Sequence, residues 1–322
     1  MILSTDIDIA EWQQLVDRSP TTSFFQTPEC YAFYNSLSFL KPFLYSISEN
    51  DKLVGVMCGY MIADGNVLKQ FFSRRAIVPG GLLLDEDISS EALQKLLYEA
   101  SKELSRRTIY IEIRNYNSFE TYKTIIESTN FNYLAHMNFH VPITNLETSL
   151  SGMNDSKRRQ LKTAQRAGVI WTETTNPNDI QAFYACLSHL YKTKVKTVLF
   201  PIEFFQKLVN LKNGKLLVVK HNDKVIGGMA CVIMPNNALY EWFVCGEENV
   251  EKAYYPSVVA TWAGMECAVQ NQLPRFDFMG AGKPDNDYGV REFKSKFGGE
   301  LVEHGRFLYI CNPKLYALGK WV

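Results

Sequence analysis

An α/β fold built twice over, each copy a mixed sheet covered by helices, is what this sequence predicts. Three observations carry the prediction. The chain has 322 residues, beyond the usual size of one hydrophobic core, so two domains are the default. Asn50 to Met57 reads NDKLVGVM and Asn222 to Met229 reads NDKVIGGM, so Asn, Asp, Lys, Gly and Met recur at a constant offset of 172 residues (222 minus 50). The downstream order also matches: strand, helix, then a strand with an alternating acid, TIYIEIRN in one half and RFDFMG in the other. A repeated hairpin followed by a repeated element order marks an internal duplication. The expected domains are residues 1–145 and 146–322, with a C-terminal segment that can pack back on the first.

The elements follow in order. Ile9, Trp12, Leu15 and Val16 behind Asp8 predict an amphipathic helix that Ser19-Pro20 ends, and Thr27-Pro28-Glu29 opens a second helix with Pro in its first turn. FLYSIS, a turn at residues 49–51 and KLVGVMCGYMIA make a hairpin. NVLKQFFSRRAIVPGGLLLD supplies a strand broken by Pro79-Gly80-Gly81, a helix runs from Ser90 to Arg106, and TIYIEIRN returns to the sheet. A helix after Asn117 and one strand, NYLAHMNFHVPI, close the first unit. The second unit opens with helix SKRRQLKTAQRAG, capped by Gly168, and continues through VIWTETT, two helices and the repeated hairpin. LVEHGRFLYICN and the helix PKLYALGKWV end the chain.

Composition narrows the function classes. Hydrophobic residues at 46% and aromatics at 13% suffice for packed cores and argue against disorder. Lys plus Arg equals Asp plus Glu at 34 each, so any contact with RNA or phosphate must come from a local patch. The seven cysteines never fall as CxxC and read as small buried hydrophobes of a reducing compartment; the five histidines form no metal spacing, so no metal is expected. The amino terminus is acidic where a signal peptide needs a basic start, and no stretch approaches the ~18 apolar residues of a membrane span. A cytoplasmic monomer without a membrane span is the expectation.

The densest functional signal is Phe276 to Gly299, FDFMGAGKPDNDYGVREFKSKFGG. A short buried strand ends in a Gly-Ala-Gly turn, and a brief helix then presents Arg291, Lys294 and Lys296. Ligands of open α/β sheets bind in the crevice beyond strand carboxyl ends, so this stretch reads as one wall of an active site. Lys283 and Tyr288 in its loop join the substrate-binding candidates. No Ser-His-Asp or Cys-His arrangement is legible.

Each half, read as helix, hairpin, long strand, helix, strand, helix, strand, resembles the acetyltransferase fold called GNAT. With SFFQTPE near the start, RAIVPGGLLL in the first half, and YPSVVATWAGMECA, FDFMGAGKP and GVREFKSKFGG in the second, the chain resembles the Fem family (FemABX, with its FemAB-like and BioF2-like acyltransferases, the methicillin resistance protein family). The resemblance implies two tandem GNAT-like domains with a cleft between them. It also implies transfer of an amino acid from aminoacyl-tRNA to an amine of a peptidoglycan precursor, with no bound cofactor. The family's Phe-Lys pair matches Phe293-Lys294, which assigns Lys294 to the donor's ester and terminal phosphate; Phe293 is expected to pack, the terminal adenosine being one partner. The chain lacks the helical-hairpin arm. It has Tyr34-Asn35 where precursor-binding members carry a lysine, and Arg114-Asn115 where they carry Asp-Pro.

Acyl transfer to an amine needs a neutral nucleophile, an aligned donor carbonyl, and positive charge or hydrogen-bond donors at the developing oxyanion. Lys294 is the first choice for the electrostatic role, with Arg291 and Lys296 as phosphate ligands. Asp277 and Glu112, each on the last strand before the crevice, are the candidate bases, although alternation also allows each a structural pairing. The resemblance implies substrate contacts at Tyr240 and Glu241, on the central strand of the second unit where GNAT proteins place them, and a cation after the long helix that Lys194 or Lys196 can meet; Arg74 and Arg75 suit an acidic acceptor. Lys157, Arg158, Arg159, Lys162 and Arg166 form the one dense basic run, with 158, 162 and 166 on one helix face; Lys157, Arg158, Lys162 and Arg166 are candidate RNA contacts, a solvated helix face being the alternative. GEENVEKAYYPS matches the loop that holds the pyrophosphate in CoA-using GNAT domains, so the resemblance puts Glu247, Glu248 and Glu251 where phosphate oxygens would lie and disfavours CoA. Two alternatives stay open: an acyl-CoA-dependent N-acyltransferase, and a non-catalytic protein that only binds the precursor.

Overall fold

The computed structural model describes residues 1–63, 73–285 and 289–319. They form two compact units: residues 1–136 joined by 303–322, and residues 137–302.

The first unit runs β1 (Ile2–Ser4), α1 (Ile9–Arg18), a 3-10 turn (Phe24–Gln26), α2 (Pro28–Ser36), β2 (Lys41–Glu49), β3 (Lys52–Ile62), β4 (Arg75–Gly80), β5 (Leu83–Leu84), α3 (Ser90–Ser105), β6 (Tyr110–Asn115), α4 (Glu120–Ser128) and β7 (Asn132–Leu134). Asp8 accepts the amides of Ala10 and Glu11 at the start of α1, and Thr27 caps α2 with Pro28 behind it, as the sequence predicts. The sheet order is β1-β2-β3-β4-β6-β15-β7, where β15 (Arg306–Ile310) comes from the far end of the chain. Leu93, Leu96 and Leu97 of α3 bury against Ile47, Met57, Val78 and Ile111.

The second unit runs β8 (Met137–Pro142), α5 (Leu146–Gly152), α6 (Asp155–Arg166), β9 (Ile170–Glu173), α7 (Pro177–Leu190), α8 (Ile202–Leu208), β10 (Gly214–His221), β11 (Lys224–Met234), β12 (Ala238–Gly246), α9 (Pro256–Gln270), β13 (Arg275–Asp277), α10 (Gly289–Ser295) and β14 (Glu300–Glu303); α11 (Pro313–Gly319) follows β15. Its sheet order is β14-β8-β13-β12-β11-β10-β9. Helix α9 is apolar nearly all round and packs Val259, Ala263 and Met265 against Met229, Cys231 and Phe276, as a fully buried helix must.

The duplication is visible in the backbone. Asn50 and Asp51 have φ of 48° and 60°, Asn222 and Asp223 48° and 62°, the left-handed pair that a two-residue hairpin requires. A bulge falls between Ile47 and Ser48 in one hairpin and between Val219 and Lys220 in the other, again 172 residues apart (219 minus 47).

Three sequence expectations change. NYLAHMNFHVPI is two strands, β7 in the first sheet and β8 in the second, so the units change over at His136–Met137, not near 145. LVEHGRFLYICN likewise splits into β14 and β15 around Gly305, at φ 64°. Alternation reports which face a side chain takes, and a strand that leaves one sheet for another keeps the same alternation. The predicted strand before Arg74 lies largely outside the described residues.

Candidate active site

The two sheets differ at the same place. In the first, parallel strands β4 and β6 stay paired over six residues, from Arg75↔Tyr110 to Gly80↔Asn115. In the second, β12 and β13 pair only at Leu239↔Phe276 and Tyr240↔Asp277. Strand β13 ends at Asp277 while β12 runs on to Gly246, so the two strands part after Tyr240, and Trp242, Phe243 and Val244 are only half-buried in mid-strand. On the other side of β12 the register to β11 slips between Ala230 and Cys231. Such a bulge re-aims side chains and is common beside active sites.

Lys294 reaches this divergence from α10. Its ammonium is buried, donates to the carbonyls of Phe278 (2.8 Å) and Gly280 (2.9 Å), and pairs with Glu241 Oε1 at 3.1 Å. It also stands 5.1 Å from the Phe278 ring centroid, a cation–π distance. Three contacts engage all three N–H groups of an ammonium. The Gly-Ala-Gly turn thus has a local cause: Met279 and Gly280 at φ 56° and 145° turn two carbonyls onto one lysine. Glu241 is 4% exposed, and its Oε2 has no hydrogen-bond partner among the described residues. Burial pushes its carboxyl above the usual range; the Lys294 charge opposes this without cancelling it, and Asp277 adds to the rise.

Asp277 faces the other way. Its Oδ1 accepts from the Asn138 amide (2.8 Å) and the Met279 N–H (2.7 Å), and its Oδ2 lies 3.0 Å from His140 Nε2. Burial raises its carboxyl, but the His140 and Asn138 bonds and the Arg275 charge outweigh that and hold it below the usual range. Glu112, on β6, lies between Arg114 and Arg306, each at 2.7 Å. Burial again pushes up, and the two guanidiniums bring it down to about 2. Both candidate bases are thus engaged in structural pairs, the possibility that alternation left open.

The remaining candidates scatter. Arg291 donates to the carbonyls of Ala281 (2.9 Å), Pro284 (3.0 Å) and Lys283, pinning the loop instead of facing a phosphate. Lys296 pairs with Glu292 one helical turn back at 2.7 Å, and Lys283 is exposed. Phe293 packs on Phe297 with the Lys157 ammonium 4.3 Å from its ring. That contact buries Lys157 and removes it from any RNA face. Arg158 turns back onto the carbonyls of Ser151 and Met153 and onto Asp155, which leaves Arg159, Lys162 and Arg166 exposed along α6. Tyr240 is fully buried, its hydroxyl 3.5 Å from Arg275. Lys194 pairs with Glu248, and Lys196 is exposed at φ 56°. Arg74 and Arg75 lie in the first unit, where Arg75 opens β4 and donates to the Ser73 carbonyl at 3.1 Å. Tyr288 lies outside the described residues.

Sequence reading missed His140 and Asn138 beside Asp277, and the pairing of Glu241 with Lys294. Each link joins residues far apart in the chain, with no local pattern to betray it. The acidic loop also proves less repulsive than three bare carboxylates: Glu248 meets Lys194, and Glu247 lies 3.7 Å from Lys224. A cavity of about 580 Å³ beside this loop has Asp179, Asp223, Glu247 and Glu248 among its lining. Among the described residues no cluster of His, Cys, Asp and Glu suits a metal ion, and no helix is long and apolar enough to cross a membrane.

The FemAB family model matches residues 111–322, more than half of the sequence. The chain belongs to the FemAB family. The matched span holds Lys294, Glu241, Asp277 and both ends of the Phe276–Gly299 stretch. No curated protein matches. Among solved structures, FemX aligns with a TM-score of 0.73 at 14% identity, over 99% of both chains. L-PGS from Bacillus licheniformis gives 0.58 at 12%, over 97% of this chain and 96% of its own. A tandem GNAT protein from the clavulanic acid biosynthesis pathway gives 0.61 at 10%, over 95% of both. At such identities the likeness is one of fold: mixed α/β, built from two GNAT-like units.

Proposed function

We propose that this FemAB-family chain is an aminoacyltransferase that moves an aminoacyl group from charged tRNA to an amino group of a cell-envelope, peptidoglycan-type precursor. The observation that carries the reading is the buried Lys294–Glu241 pair where β12 and β13 part. Opened strands give an acyl group room to enter between them, and a fixed ammonium beside that opening stabilises negative charge without having to reorganise. The incoming amine attacks the ester carbonyl, the carbonyl oxygen takes up negative charge, and collapse expels the ribose hydroxyl as the amide forms. The amine loses one proton and the leaving oxygen gains one. Lys294 acts through its charge, since its N–H groups are already engaged. The exposed cations of α6 supply a local RNA contact in a chain of zero net charge.

The test is an incubation of the protein with a labelled aminoacyl-tRNA pool and a UDP-linked muropeptide, beside the same acceptor with acetyl-CoA. The reading predicts an amide product in the first that ribonuclease treatment of the donor abolishes. Product from acetyl-CoA alone would make the chain an N-acyltransferase, an outcome that the pairing of Glu248 with Lys194 and of Glu247 with Lys224 makes less unfavourable. Stabilisation by the muropeptide with no turnover of either donor would make it a non-catalytic binder. A donor at ~100 times its dissociation constant adds ~2.7 kcal/mol to stability, so melting curves with each donor report binding independently of turnover.

A further inference from the structure

Glu241 carries a carboxylate oxygen that no described residue satisfies. Oε1 is satisfied by Lys294, while Oε2 is buried and lacks a hydrogen-bond partner among the described residues. A buried carboxylate oxygen without a donor is costly, and natural proteins keep few such atoms without a use. Its position is specific. Glu241 is the first β12 residue beyond the last β12–β13 register pair, Tyr240↔Asp277, so it stands at the apex of the divergence. Among the described residues the apex lacks a donor: the three N–H groups of Lys294 are engaged, and Glu241 has one acceptor to fill.

Resting on the proposed aminoacyl transfer, we infer that Glu241 Oε2 receives the α-ammonium of the donor's aminoacyl group, so that the notch selects an aminoacyl donor over a plain acyl donor. One carboxylate then bridges two ammoniums, Lys294 on Oε1 and the ligand on Oε2. A charged hydrogen bond of this kind in a desolvated site is among the strongest available to a protein. An acetyl or other plain acyl group brings no N–H and would leave Oε2 as orphaned as before. Sites built to hydrogen-bond a substrate group reject the analogue that lacks it, because the buried protein atom is then left alone.

The experiment uses full-length protein and stable amide analogues of the tRNA terminus: 3′-amino-adenosine carrying glycyl, alanyl or seryl groups. Their counterparts carry acetyl, propionyl or 3-hydroxypropionyl and lack only the α-amino group. Calorimetry on the wild type is expected to show at least one amino analogue binding about tenfold or more tighter than its counterpart. In Glu241→Gln that ratio should fall to about twofold, with affinity for the counterpart retained. Equal affinities within every wild-type pair would overturn the inference while leaving aminoacyl transfer intact, if the labelled-tRNA assay still gives product. Parallel weakening of both series in Glu241→Gln would show a merely structural role and overturn it too. Binding of neither series, together with no product from aminoacyl-tRNA, would remove the proposed function and the inference with it.

Discussion

The two units share a hairpin down to its bulge and part company at one strand pair. In the first, β4 and β6 are zipped over six residues, and the acid on β6, Glu112, is clamped by two arginines. In the second, β12 and β13 separate after two, and the acid at the parting, Glu241, keeps one oxygen without a partner among the described residues. A closed ladder satisfies every backbone group and leaves no room for a ligand, whereas an opened one trades backbone pairing for an entry. On the proposed function, one copy of the duplicated fold serves as scaffold and the other as site. The contrast also explains why these two acids, on strands that are not equivalent, shift in opposite directions from the usual carboxylate range. Two guanidiniums overcome burial at Glu112, and one shared ammonium does not at Glu241.

The largest expected effect comes from breaking the pair at the opened strands. Lys294→Met leaves Glu241 buried without its cation and should cost about 3–5 kcal/mol in urea unfolding. Adding Glu241→Leu should return much of that loss, so the double variant would be more stable than the single one. Strict additivity would show that the two do not act as a pair. Next is the clamp in the first unit. The folded Glu112 carboxyl sits at about 2 against an ordinary 4.5, so its stabilisation is complete above pH 4.5 and disappears as pH falls toward 2. A shift of this size amounts to about 3 kcal/mol. Glu112→Gln should be less stable than wild type at neutral pH by about that much and should lose less on acidification; parallel pH–stability curves would contradict the clamp.

How much of this was legible beforehand follows from where each signal lies. The duplication, the caps at Asp8 and Thr27 and the turn at Asn222-Asp223 are local patterns, and local patterns survive in sequence. Lys294 stood out through its motif, but its engagement with two carbonyls and Glu241 did not, because it depends on a turn of positive φ and a strand 53 residues away (294 minus 241). Asp277 and Glu112 looked like bases for the same reason: an acid on an apolar strand shows its face and hides its partners. The changeovers at β7–β8 and β14–β15 were invisible, since alternation carries on unbroken when a strand changes sheet.

Two smaller predictions sharpen the contrast from the scaffold side. Gln26, wholly buried, donates to the carbonyls of Gly80 and Leu82 at 3.0 Å each and accepts the Ser23 amide at 2.6 Å, so it braces the glycine turn after β4. Gln26→Ala should cost about 1–3 kcal/mol and leave donor binding unchanged; a loss of donor affinity would mean that the first unit also holds the donor. Smallest of all, Asn50→Ala and Asn222→Ala should each cost about 1–2 kcal/mol at their left-handed turn positions. Their costs should agree closely, and a several-fold difference would show that the twin hairpins are alike in backbone only.

The most direct test of the asymmetry is single-turnover transfer from aminoacyl-tRNA at fixed temperature, with Lys294→Met and Glu112→Gln measured beside wild type under conditions where all three remain folded. Confining the chemistry to the second unit predicts a rate loss of about 100-fold or more for Lys294→Met and a rate within about twofold of wild type for Glu112→Gln, far below the cost of removing a transition-state contact. Full activity in Lys294→Met, or an equal loss in both variants, would contradict it.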